Sequence, residues 1–422
     1  MSLSEREIGI IHRNTSIIEG RKHFGEYNHQ VSASSTTEYI PVTSLTAETA
    51  VVIPVMEREE KLKIFLDRFT QAVASSGVPT TLIVMDNSLT TKFLKEVQSR
   101  TQALKDGPLV SVIYHHDARL TQTSLRNYAL EHLVPSEAST IGLWDSDIYC
   151  SKRTLAELRR IWNKLSDIDG IAPPLVGYKS GDIDKIIAKY ARIREDSSLR
   201  TKAHMPGSIG EENGVWQGDL LRTTMMRGAF FVSKELLSKI ARQTPNQTPW
   251  IEDFAVWQNV PFFLAAREMG SDFGYVMVSD AVVAHDDNID ELSVGYSMPY
   301  RRSETLKSLV MLMYRNSVYT EQSKSINTRF LRFNLDAIAR VCEFNREESK
   351  EMQDVLLEIS EMINKSTEVG GFIEAWNIRK NQIPEKYIRF ADEVVAKLSD
   401  EEVYQRVKAI RSADPLHPMY SI

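Results

Sequence analysis

The chain has 422 residues, which at about 150 residues per domain leads one to expect two or three domains. Hydrophobic residues make up 42% and charged residues 26%, a globular balance with enough apolar material for a sizeable core, so wholesale disorder and fibrous repeats are excluded. The net charge of −6, from 51 Lys and Arg against 57 Asp and Glu, provides no global basic field. Nucleic acid is therefore not expected as a partner, and any anionic ligand must be held by local chemistry. Two cysteines, Cys150 and Cys342, are too few for a disulfide framework or a thiolate zinc site. No apolar run reaches the roughly 18 residues of a transmembrane segment, and Glu5, Arg6, Glu7, His12 and Arg13 break up the N-terminal residues, leaving no signal-peptide core. The expectation is a soluble, cytoplasmic protein.

Residues 1–46 read as a polar N-terminal extension, closing in a Ser/Thr-rich stretch at 32–46 and expected to be loosely structured or packed on the outside. The first strand signal is 50–55 (AVVIPV), an apolar β-branched run of the kind buried on both faces of a sheet. Residues 59–74 then place Leu62, Phe65, Leu66, Phe69 and Val73 at helical spacing, and 80–85 (TTLIVM) supply a second buried strand. The pattern repeats as a helix at 92–101, a strand at 110–114, a helix at 124–133 and a strand at 140–144. Strands alternating with helices predict an α/β fold with a mainly parallel sheet flanked by helices.

Beyond residue 147 the order loosens. A helix at 152–164, a strand-like stretch at 170–178 and an amphipathic stretch at 182–194 precede a polar loop at 197–218, whose length without periodicity suits a binding loop or lid. A strand at 226–232, helices at 234–241 and 254–269 and a strand at 274–278 lead to the VVAHDD string at 282–287. Three-four apolar spacing at 305–317, 329–344, 347–364 and 386–398 predicts a helical C-terminal region, with Pro384 ahead of its last helix. The expected division is an extension at 1–46, an α/β domain at 47–300 and a helical domain at 301–422.

In parallel α/β sheets ligands bind beyond the carboxyl ends of the strands. The residues there are Glu57, Asp86, Asp145 and Asp147. Asp145-Ser146-Asp147 directly follows the strand ending at Trp144, and two carboxylates one residue apart offer hard oxygen ligands that suit Mg2+ or Mn2+ with a diphosphate partner. His285 follows an apolar run and could add a neutral imidazole to such a site. Glu252 and Asp253 form an acidic pair at a helix start, where they either favour the helix dipole or supply a carboxylate to deprotonate an acceptor hydroxyl. Asp86 is open to two readings, a base contact or plain turn chemistry with Asn87 and Ser88. Arg126 and Asn127 could reach a diphosphate or base, and the turn at Arg227, Gly228 and Ala229 could bring backbone close to a sugar.

Taken in order, VVIPVMEREEKL, LIVMDNS, SLRNYAL, IGLWDSDI, RGAFFVSKELL, WIEDF and VVAHDD resemble the GT-A glycosyltransferases, especially the family-two group of nucleotide-sugar-dependent enzymes, over about residues 48–290. The resemblance implies a Rossmann-like GT-A catalytic domain at 47–300 that transfers a sugar from a nucleoside-diphosphate sugar to a hydroxyl acceptor, with Mn2+ or Mg2+ as cofactor. It implies that Asp86 contacts the base, that Asp145 and Asp147 sit at the nucleotide with Asp147 as direct metal ligand, and that His285 completes the metal site. Asp253 or Glu252 would face the acceptor, and Pro54, Val55, Glu57, Arg126, Trp144, Ser146 and Gly228 fall on motifs assigned to the nucleotide sugar.

Three features depart from the pattern. Asn87-Ser88 replaces an acidic-Gly-Ser turn, Leu125 and Tyr128 stand where small residues are frequent, and no Gln-x-x-Arg-Trp string is present, which argues against a processive polysaccharide synthase. A soluble enzyme of this kind with a helical extension also resembles the retaining synthases of small glycosides such as mannosylglycerate, which would need no general base. A nucleotidyltransferase is disfavoured because the loop Met56-Glu57-Arg58-Glu59 holds no glycine. A non-catalytic nucleotide-sugar-binding protein is the remaining alternative, and a homo-oligomer is compatible with any of these readings.

Overall fold

The computed structural model describes residues 35–55, 58–86, 88, 93–102, 109–117, 125–126, 128–165, 167–178, 181–188, 215–217, 220–223, 226, 228–243, 266, 270–276, 279–286 and 377–378. In chain order these form β1 (Thr36–Pro41), β2 (Thr49–Val55), α1 (Glu59–Ser76), β3 (Thr80–Asp86), α2 (Phe93–Gln102), β4 (Leu109–His116), a π-helical turn at Ala129–Leu133, β5 (Thr140–Trp144) and β6 (Ile148–Cys150). There follow α3 (Thr154–Trp162), β7 (Gly170–Ala172), β8 (Leu175–Tyr178), β9 (Val215–Gln217), β10 (Leu220–Thr223), β11 (Ala229–Ser233), α4 (Lys234–Gln243), β12 (Phe273–Val276) and β13 (Val283–Asp286).

A ten-stranded sheet runs in the order β1-β4-β3-β2-β5-β11-β7-β12-β10-β9, and a three-stranded sheet in the order β6-β13-β8. Adjacent strands β4, β3, β2 and β5 are parallel, β7, β12 and β9 share their direction, and β1, β11 and β10 oppose it. This is the α/β, mainly parallel sheet with flanking helices that the sequence leads one to expect. The reason is burial on both faces: Val51, Ile53 and Val55 of β2 join one core cluster with Leu62, Phe65, Leu66 and Phe69 of α1, while the alternate residues Ala50 and Val52 are fully buried as well. Trp144 closes that cluster, edge-on to Phe69 at 6.0 Å and to Phe231 at 5.7 Å.

Several elements differ from the expectation. β1 lies inside the polar stretch before residue 46 and pairs antiparallel with β4 over six residues from Thr36 to Pro41; its mostly exposed side chains give it no apolar signal. The apolar stretch 170–178 is two strands in two sheets, because Pro173 and Pro174 lack the N–H a continuous ladder needs. β10 follows the polar loop and pairs with β9 and β12. The strand expected at 226–232 begins only at Ala229, since Gly228 takes a left-handed φ of 72°. The expected helices at 254–269 and beyond residue 302 lie outside the described residues, apart from one helical position at 266; two more, at 377–378, fall between the helices expected at 347–364 and 386–398.

Candidate active site

β5 lies in the middle of the large sheet, and the chain turns sharply where it ends. The Ile148 N–H donates to Asp145 O at 3.2 Å, closing a turn over Asp145-Ser146-Asp147 that feeds β6 in the second sheet. The Asp145 N–H in turn donates to Gly228 O at 2.9 Å, so the turn is fastened to the start of β11. β13 runs antiparallel beside β6 with His285 opposite Ile148, and the Asp286 N–H donates to Asp147 O at 2.9 Å. Sheet topology therefore carries His285 to the D-x-D turn although 138 or more positions separate them in sequence.

The two acids of the turn are held differently. Arg126, almost fully buried, donates through Nη2 to Asp145 Oδ1 at 2.5 Å, while its Nε and Nη1 make no hydrogen bond. Burial pushes the Asp145 carboxyl above its usual range and the Arg126 guanidinium acts against that rise. Asp147 Oδ2 accepts from Arg58 Nη1 at 3.0 Å. Its Oδ1 is buried without a hydrogen-bond partner and lies 3.9 Å from His285 Nε2. A buried carboxylate oxygen left unsatisfied is costly, and one facing an imidazole is a donor pair suited to a divalent cation.

Among the described residues no three His, Cys, Asp or Glu side chains already converge as a metal cage. Asp147 with His285 is nevertheless the donor set expected for Mg2+ or Mn2+ bound together with a diphosphate, since such ions keep few protein ligands and take substrate phosphate oxygens for the rest. The residues present thus fit the cofactor that the resemblance implies. Asp145 is oriented by Arg126 and sits beside that pair.

The other expected contacts divide into three groups. Asp86 is wholly buried: Oδ1 accepts the Ser88 N–H at 2.8 Å and Oδ2 accepts the Tyr114 hydroxyl, while His116 Nε2 lies 2.8 Å from Ser88 O. Burial raises its carboxyl and these hydrogen bonds act the other way. Its side chain braces the turn after β3. Pro54 and Val55 lie within β2 with their side chains buried, Ser146 is buried in the turn, and the indole of Trp144 packs in the core between Phe69 and Phe231 and so offers no ring to a ligand. Glu57, Glu252 and Asp253 lie outside the described residues.

Four further side chains belong to this neighbourhood and had no assigned role from sequence: Arg58, Lys61, Tyr149 and Asp286. The one local signal is a cation at the start of a helix. Arg58 and Lys61 flank Glu59 and Glu60 at the N-terminus of α1, where the helix dipole disfavours positive charge, so each needs an anion to face.

No family model matches the chain, and no curated protein matches it. Solved structures with a similar course of the chain include S. aureus TarS 1–349 in complex with UDP-GlcNAc, at 14% identity over 87% of this chain and 92% of that one, with a TM-score of 0.47. The mannosyltransferase PcManGT from Pyrobaculum calidifontis, in complex with GDP-Man and Mn2+, is 12% identical over 96% of this chain and 98% of that one, with a TM-score of 0.41. The catalytic domain of Drosophila beta1,4galactosyltransferase 7 is 12% identical over 58% of this chain and 72% of that one, with a TM-score of 0.32. These are distant similarities of shape, and the chemistry of the present site rests on its own side chains.

Proposed function

We propose that the chain is a metal-dependent glycosyltransferase of GT-A type that moves a sugar from a nucleoside-diphosphate sugar to a hydroxyl acceptor. The observation that supports this reading is the unsatisfied Asp147 Oδ1 facing His285 at the carboxyl end of β5, beside an Asp145 held by a buried arginine. Asp147 and His285 would hold the cation. Bound Mn2+ or Mg2+ supplies neutralisation of the charge that develops on the departing diphosphate.

The chain's own residues do the remaining work. Arg126 fixes Asp145 from the buried side, so that the turn presents a constant face to the donor. Arg58 holds one oxygen of Asp147 and leaves the other directed at His285. Tyr114 and Ser88 fix the Asp86 carboxylate at the end of β3. Asp253, or Glu252 beside it, is the proposed base for the acceptor hydroxyl in an inverting transfer.

The test is a thermal-shift panel of UDP-, GDP-, CMP- and dTDP-sugars with and without Mn2+, because a ligand that binds only the native state raises its melting temperature. One donor is expected to give a rise of several degrees that requires Mn2+, and Asp147→Ala is expected to remove the metal-dependent part. A panel in which no donor shows a Mn2+-dependent shift overturns the reading.

A further inference from the structure

We infer that Lys61, Tyr149 and Asp286 are positioning residues that hold His285 against Asp147; the inference rests on the metal site proposed above. Asp286 ends β13, next to His285, and its buried Oδ2 accepts the Tyr149 hydroxyl at 2.9 Å with Lys61 Nζ at 3.9 Å. All three side chains are buried, Asp286 and Lys61 to 7% exposure each and Tyr149 to 0%. A buried ion pair is rarely the most stable filling for such a space, since well-packed apolar side chains of the same volume do as well or better. Its placement here has a geometric consequence that apolar side chains could not reproduce.

Neighbouring residues of a strand face opposite sides. The Asp286 carboxylate is held by Tyr149, which lies opposite Ala284 on the adjacent strand β6, so residue 285 stays on the other face of β13, with His285 Nε2 3.9 Å from Asp147 Oδ1. The Asp286 N–H also clasps Asp147 O at 2.9 Å, which ties the end of β13 to the D-x-D turn itself. The same helical turn supplies both cations: Lys61 on Asp286, and Arg58, just ahead of α1, on Asp147. The two sides of the His285–Asp147 gap are thereby referenced to one rigid element.

The experiment compares the full chain with Tyr149→Phe and Lys61→Met. Mn2+ affinity is measured from the free-ion electron paramagnetic resonance signal, in the presence of the nucleoside diphosphate selected by the donor panel and well below the melting temperature. Thermal unfolding is recorded in parallel. Supporting residues behind metal ligands typically govern about 10- to 100-fold in affinity, and a weakening of that size is expected in each variant. Where Lys61→Met does not fold, Tyr149→Phe, which removes only one oxygen, decides alone. Variants that melt earlier yet bind Mn2+ as the unmodified chain does overturn the positioning role and leave the site itself standing. An unmodified chain that takes up no Mn2+ overturns both.

Discussion

Cys150 ends β6, three residues beyond Asp147, and is 1% exposed. Burial pushes its thiol up to about 12, so at pH 8 roughly one molecule in ten thousand carries the thiolate that reacts with disulfide reagents or metals. In a Cys342→Ser chain, Ellman's reagent is expected to titrate no thiol within minutes in native buffer and one in denaturant; rapid native labelling would show that the end of β6 opens to solvent. At this scale the sequence is informative about residues whose role lies in their own neighbourhood. Asp145 and Asp147 are legible because spacing and a preceding strand signal suffice. Tyr149 and Asp286 are not, because their meaning comes from a partner 137 positions away that only the pairing of β6 with β13 brings near. The ring of Trp144 lies in the core between Phe69 and Phe231, a place that the motif around it does not reveal.

Whole elements are legible in proportion to how completely they are buried. β2, β3 and β5 carry unbroken apolar runs because both faces of the sheet are covered, and they appear where the sequence puts them. β6 and β13 have three and four residues, too short for any periodicity, although they carry the link to His285. β11 shows how a single position sets an element's start. Gly228 has a φ of 72°, its carbonyl receives the Asp145 N–H, and a Cβ there would come within 2.6 Å of Ile148 Cδ1. Gly228→Ala therefore combines left-handed strain, about 1–3 kcal/mol for a residue other than glycine, with a push on the residue that follows Asp147. A loss of that order in urea unfolding is expected, with weaker Mn2+-dependent donor binding by the folded protein. A variant of unchanged stability would show that the start of β11 does not depend on a left-handed glycine.

For the molecule as a whole, the excess of 57 acids over 51 Lys and Arg poses an electrostatic problem. A nucleoside diphosphate entering the proposed site meets Asp145 and Asp147, and the nearby Arg126 and Arg58 are already engaged with those acids. The cation and the diphosphate each relieve a repulsion the other would otherwise face, so their binding must be coupled, and coupling between two ligands is reciprocal. If Mn2+ tightens the nucleoside diphosphate by a given factor, the nucleoside diphosphate must tighten Mn2+ by the same factor, and typical couplings correspond to about 5- to 150-fold. Calorimetric titration of each ligand in the absence and presence of the other closes the cycle. Raising the salt concentration should weaken Mn2+ uptake by the free protein, because the acidic surroundings that attract the ion are screened. Diphosphate binding that is tight without metal and indifferent to it would mean that Arg126 and Arg58 leave the acids and serve as the cations themselves. The D-x-D turn would then be a structural joint between the two sheets rather than a metal site.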